Sequence, residues 1–154
     1  VRAIKLREND YVVSAGLCDE NMQVLNVTEN GYGKRTNINE FNLQKRGGMG
    51  VKIHNITEKT GKITSTLMVA DGEEIMLITS EGVIIRLRAE DISTVGRASQ
   101  GVKLINLNDG VNVAGAAKIA ADQLEEEAEE ENEPEEQEET SSDEDDSLAP
   151  DVEL

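Results

Sequence analysis

A unit of about 50 residues is written twice in this chain and begun a third time, and no other feature limits the fold so strongly. Val1-Arg-Ala-Ile-Lys-Leu6 is echoed by Val51-Lys-Ile-His-Asn-Ile56 and again by Val102-Lys-Leu-Ile-Asn-Leu107. Val24-Leu-Asn-Val-Thr-Glu-Asn-Gly31 returns as Ile75-Met-Leu-Ile-Thr-Ser-Glu-Gly82, and Arg46-Gly-Gly-Met-Gly50 as Arg97-Ala-Ser-Gln-Gly101. The offset is 50 residues at the start and 51 thereafter. A repeat of this length is one supersecondary unit that cannot bury its apolar face alone, so copies must pack on their neighbours.

The alternation of apolar and polar residues makes the unit β rather than α. Strands are expected near residues 1–6, 11–17, 22–28 and 32–36, then 51–57, 62–69, 73–79 and 83–88. The third unit supplies two, near 102–107 and 111–119, and its pattern then stops. Asn30-Gly31 and Glu81-Gly82 mark hairpin turns. Four short strands per unit is the pattern of propeller-like blades, whose ring protects the sheet edges. The expected fold is therefore all-β, a partial pinwheel of four-stranded blades: residues 1–50 and 51–101 as blade repeats, and 102–121 as an incomplete blade. Two and a third blades cannot close a ring, so apolar faces should remain uncovered. Val1 falls inside a strand-like pattern, and we expect the chain to be a fragment with further copies upstream.

Charge divides the chain as sharply as the repeat does. All 15 Lys and Arg lie between Arg2 and Lys118, whereas 18 of the 32 Asp and Glu fall from Asp122 onward. Residues 122–154 are thus an acidic tail, with Pro134 and Pro150, whose composition cannot bury enough apolar surface to fold. It reads either as a solubilising tail or as a tethered anion that competes for a basic surface. The three aromatic residues, Tyr11, Tyr32 and Phe41, leave any core to Val, Ile, Leu and Met. Cys18 is the single cysteine, which rules out an internal disulfide framework and fits a reducing cytosol. No apolar run approaches the roughly 20 residues of a membrane span, so no membrane partner is expected.

The cations recur with the unit. Gln44-Lys-Arg-Gly-Gly-Met-Gly50 sets Lys45 and Arg46 beside Gly47, Gly48 and Gly50, where backbone N–H groups can approach an anion. The other reading is a loop that only connects blades. Arg46 aligns with Arg97 and Arg35 with Arg86, while Lys34 and Arg88 lie nearby on the same strands. In a blade array equivalent positions sit at equivalent height, so such cations form a stripe, and a stripe suits the phosphates of duplex DNA. The candidate contacts are Lys34, Arg35, Gln44, Lys45, Arg46, Gly47, Gly48, Gly50, Arg86, Arg88 and Arg97.

Asn30-Gly-Tyr-Gly-Lys-Arg-Thr36, Val95-Gly-Arg-Ala-Ser-Gln-Gly-Val-Lys-Leu-Ile-Asn-Leu107 and the repeat length together resemble the C-terminal β-pinwheel of the DNA gyrase A subunit, over residues 1 to about 121. The loop at 44–50 is similar to that family's seven-residue box, with Met49 where a cation is usual. The resemblance implies a DNA-wrapping module of an ATP-dependent type II topoisomerase, bending duplex DNA around a basic rim in support of negative supercoiling. It implies as partners the rest of the A subunit, together with the gyrase B subunit in an A2B2 heterotetramer, in the bacterial cytoplasm at the nucleoid. ATP and Mg belong to other domains, and the fragment itself has no cofactor. The A subunit of topoisomerase IV, whose C-terminal domain is similar but more divergent, is one alternative; a propeller serving as a protein-interaction scaffold is another. No catalytic residue is expected here, since Tyr11 and Tyr32 sit on strands without the catalytic tyrosine's surroundings. His54 has no Cys or second His at ligand spacing and is assigned to the sheet.

Overall fold

Two hairpins carry the architecture, one in each full copy of the repeat. In the computed structural model, which describes residues 1–124, the first consists of β1 (Gln23–Thr28) and β2 (Tyr32–Asn37). The second, 51 residues on, consists of β4 (Glu74–Thr79) and β5 (Ile84–Arg88). Between them in sequence lies β3 (Ile63–Val69); β6 (Val102–Lys103) and β7 (Val113–Ile119) follow. A short 3-10 turn closes each hairpin, at Ile38–Glu40 and Ala89–Asp91. At the hairpin tips only the glycine takes positive φ, 81° at Gly31 and 82° at Gly82. Asn30 does not share it, so the tip is a three-residue loop rather than a two-residue turn.

The strands join across the sequence repeats. The first sheet has the order β3-β1-β2-β6, all antiparallel, and the second β5-β4-β7. Each hairpin thus borrows a long strand from the next unit, and the first also takes a two-residue strand from the unit after that. The copies agree in detail, since β1 shifts register between Val27 and Thr28 and β4 between Ile78 and Thr79. The all-β, pinwheel-like expectation is met, while the two strands of the third unit go one to each sheet.

This exchange explains which expected strands are missing. Residues 11–17 are the counterparts of β3, and 51–57 those of β6, and both kinds pair with a hairpin from an earlier unit. No such hairpin precedes them in these 154 residues, and neither segment forms a strand. Residues 1–6 make a single bridge, Ile4 with Gly48. A strand without a ladder partner has no backbone hydrogen bonds to hold it. Of 102–107 only the first two residues pair, and Leu104, Ile105 and Leu107 instead pack inward.

The core is aliphatic, as the composition requires: Leu25, Val27, Val69, Ile75, Leu77, Ala89, Ile92 and Val113 form one cluster spanning both sheets. Burying each of the larger members contributes about 1.5–3 kcal/mol. β3 and β7 link the sheets where small residues let them approach, with Ser65 Oγ accepting from the Ala116 amide at 3.0 Å. Val1, Tyr11, Val12 and Leu17 lie exposed, so the expected uncovered apolar face is present at this end. Residues 120–124 carry the chain into a helical turn, with the Leu124 amide donating to Ala120. The remainder of the expected acidic tail, from 125, lies outside the described residues.

Candidate nucleic-acid interface

The recurring loop is held by the start of its own repeat. In the first unit the Lys5 amide donates to Gly48 O at 2.7 Å and the Gly47 amide to Ala3 O at 2.8 Å. In the second, the Asn55 amide donates to Ser99 O at 3.0 Å, the counterpart of the Lys5 bond. Arg97 adds Nη1 to Lys52 O at 2.6 Å, and its amide donates to Glu40 Oε2. Each loop cation is thereby brought beside the second residue of the repeat, which is itself a cation in all three copies: Arg2, Lys52 and Lys103. All three are exposed, as are Lys45 and Arg46, and among the described residues none of the five is paired with a carboxylate.

The loop glycines serve shape more than proximity. Gly47 and Gly50 have φ of 74° and 78°, which other residues adopt at a cost, but a Cβ would find nothing closer than 3.6 Å at either position. The Gly47 N–H is already engaged by Ala3, so it does not offer itself to an anion. Gln44 turns its amide back on Asn42 O, and Met49 is exposed to solvent.

Four of the expected contacts are not free cations, and two of them are interior. Lys34 is fully buried, its Nζ donating to Gly96 O at 2.9 Å and Arg97 O at 2.6 Å. Burial lowers its pKa; Glu40 opposes that shift and Arg97 adds to it. Arg35 is 7% exposed and donates to Ile92 O, Glu90 O and Asp71 Oδ1. These residues fasten the segment 90–97 across β2, and the geometry corrects the expectation that they face a phosphate. Arg86 and Arg88 remain on the surface but are engaged, Arg86 with Glu74 at 2.7 Å and Arg88 with both oxygens of Asp91 at 3.0 Å. Arg97 is partly buried through its bond to Lys52.

Sequence reasoning missed the second-position cations, although the signal lay in the echo between the repeat starts. It also missed the surroundings of Tyr32. Lys59 and Lys103 come from different units, and each places its ammonium over the Tyr32 ring, 5.5 and 5.9 Å from the centroid. Only the fold shows that pairing. His54 is buried, but it lies in the 51–57 segment that forms no strand, so it is not the sheet residue expected of it; burial followed by the Lys34 charge lowers its pKa, against the opposing effect of the Gln100 backbone. Among the described residues no group of three His, Cys, Asp or Glu could hold a metal ion. No helix there is long and apolar enough to cross a membrane.

A family described as DNA gyrase C-terminal domain, beta-propeller, matches residues 1–19, 23–70 and 73–120. The DNA gyrase A protein of Staphylococcus aureus (strain MRSA252) is 48% identical over 128 residues, which is 82% of this chain and 14% of that protein. The chain therefore spans about one seventh of the curated relatives it matches. Among solved structures, a DNA gyrase A C-terminal domain superposes with a TM-score of 0.62 at 28% identity, covering 66% of this chain and 34% of that one. The C-terminal domain of DNA topoisomerase IV superposes with a TM-score of 0.73 at 23% identity, covering 86% and 43%, a likeness of fold.

Proposed function

The chain belongs to the DNA gyrase C-terminal domain family, and from that premise we propose that it binds and bends duplex DNA on its recurring loop and second-position cations. The observation that carries the reading is the repetition of one arrangement, in which the loop of each unit is hydrogen-bonded to the start of that unit and sets cation beside cation. Arg2, Lys45 and Arg46 make one such cluster, and Lys52 with Arg97 the next. Lys103, with Lys59 across Tyr32, continues the series. Contacts of this kind position phosphates and read no sequence. Bending a site of 20 to 30 bp by 40 to 90° costs on the order of 1 to 6 kcal/mol, so this module contributes to a wrap that further repeats complete.

In this reading the chain is part of the A subunit of a type II topoisomerase. It supports negative supercoiling alongside the ATP-driven B subunit in an A2B2 heterotetramer in the bacterial cytoplasm. ATP and Mg act in other domains. Gyrase is favoured over topoisomerase IV because the gyrase relative keeps 48% identity across the repeats.

The test is a charge reversal. Arg2→Glu, Lys45→Glu, Arg46→Glu, Lys52→Glu and Lys103→Glu together should weaken duplex binding and lower its log–log salt slope by about 0.9 for each phosphate no longer neutralised. A slope equal to that of the unaltered chain would reject the reading.

A further inference from the structure

One aromatic ring gathers a cation from each of the two units that follow its own. Tyr32 opens β2 in the first unit, while Lys59 belongs to the second and Lys103 to the third. Lys103 stands directly opposite Tyr32 in the β2–β6 register, so the two side chains leave the same face of the sheet. Lys59 arrives on a turn that the tip of the first hairpin holds in place. Asn30 Nδ2 donates to Glu58 O at 3.1 Å and to Lys59 O at 3.2 Å, and the Asn30 amide donates to Thr60 O at 3.2 Å. Both lysines are exposed, and among the described residues neither is paired with a carboxylate.

Two ammonium groups drawn to one ring repel each other, and the negative face of the ring is what offsets that repulsion here. An incoming anion gains from both charges at once. It also meets two long side chains whose ordering would otherwise oppose binding. The arrangement occurs once. In the second hairpin Val83 stands at the place of Tyr32 and Glu81 at that of Asn30, and the turn corresponding to Glu58-Lys59 reads Asn108-Asp109. The ring and Lys59 are therefore additions to the recurring second-position cation, not parts of the repeat.

We propose that Tyr32 is a positioning residue of the duplex-binding surface, fixing Lys59 and Lys103 as a preformed double contact for backbone phosphate. The inference rests on the duplex-binding reading given above. The ring carries no charge and neutralises no phosphate, so it acts on affinity through the two lysines and leaves the salt slope to them. Because the three residues come from three units, the contact exists only where those units are assembled.

The test is a mutant cycle in the full chain, read as duplex affinity across a salt series. Tyr32→Val, which places on β2 the residue that follows the glycine of the second hairpin, should weaken binding about fivefold with the salt slope unaltered. Tyr32→Phe keeps the ring and should bind as the unaltered chain does. With Lys59→Gln and Lys103→Gln together the slope falls by about 0.9 for each phosphate no longer neutralised, and adding Tyr32→Val then weakens binding no further. An equal loss from Tyr32→Val in both backgrounds would overturn the proposal, because the ring would then act without the lysines. Tyr32→Phe behaving like Tyr32→Val, or Tyr32→Val behaving like the unaltered chain, would overturn it while duplex binding stands. A chain that binds no duplex would overturn the earlier reading and this role with it. A further check needs no variant to fold: in NMR spectra of the unaltered chain the ring current should shift the ε-methylene protons of both lysines upfield, and unshifted protons on either would overturn the double contact.

Discussion

Lys34 and Arg35 look in the sequence like surface cations on a strand, and in the structure they are interior fasteners. Lys34→Met leaves two carbonyl oxygens of the 96–97 loop without a donor, and Arg35→Leu strands those of Glu90 and Ile92 together with the Asp71 carboxylate. Each change should lower stability by about 2 to 4 kcal/mol in urea denaturation while leaving the salt slope of duplex binding unaltered. Lys45→Ala and Arg46→Ala should do the reverse, changing stability by less than about 0.5 kcal/mol and reducing the slope. A swap of those outcomes would return Lys34 and Arg35 to the DNA face. Arg86 shows why the residue type could not decide: it occupies the repeat position of Arg35 and has 46% of its side chain in solvent. What differs is the segment lying over it, which Arg35 reaches 55 and 57 residues away in the first copy, and sequence periodicity carries no information about that cover.

At the scale of elements, the hairpins were legible because their signals are local: an apolar run, a glycine at the tip and a second run. The strands expected at 1–6, 11–17 and 51–57 do not form because a strand needs a ladder partner as well as a pattern, and none of the 154 residues supplies the hairpin with which their counterparts pair. Gly101 marks where two units meet, since its φ is +76° and a Cβ would strike Gly33 O. Gly82 has a similar φ of +82° but open space around it. Gly101→Ala should therefore cost about 2 to 4 kcal/mol, while Gly82→Ala costs only the backbone term of about 1–2 kcal/mol, as read from denaturation midpoints. Equal costs would mean that β6 and its turn do not pack on β2 as described.

For the molecule as a whole, charge is as unevenly placed as it is in the sequence, with unpaired cations on the loop and second-position clusters and 18 acidic residues from Asp122 onward. Removing residues 122–154 from a protein carrying the whole domain should tighten duplex binding, most at low ionic strength, where the screening length reaches about 30 Å at 0.01 M. Equal affinities at low salt would leave the tail without a competing role.

The sequence by itself determined the repeat, the all-β class, the aliphatic core and the two hairpins, because periodicity and glycine placement act over a few residues. It also marked the 44–50 loop as cationic and glycine-rich. Only the tertiary structure decided that each sheet is assembled from successive units, and from that exchange follows which cations are enclosed and which remain in solvent. Burial depends on contacts between residues some 50 positions apart, and two identical side chains at equivalent positions part company when only one of them is covered.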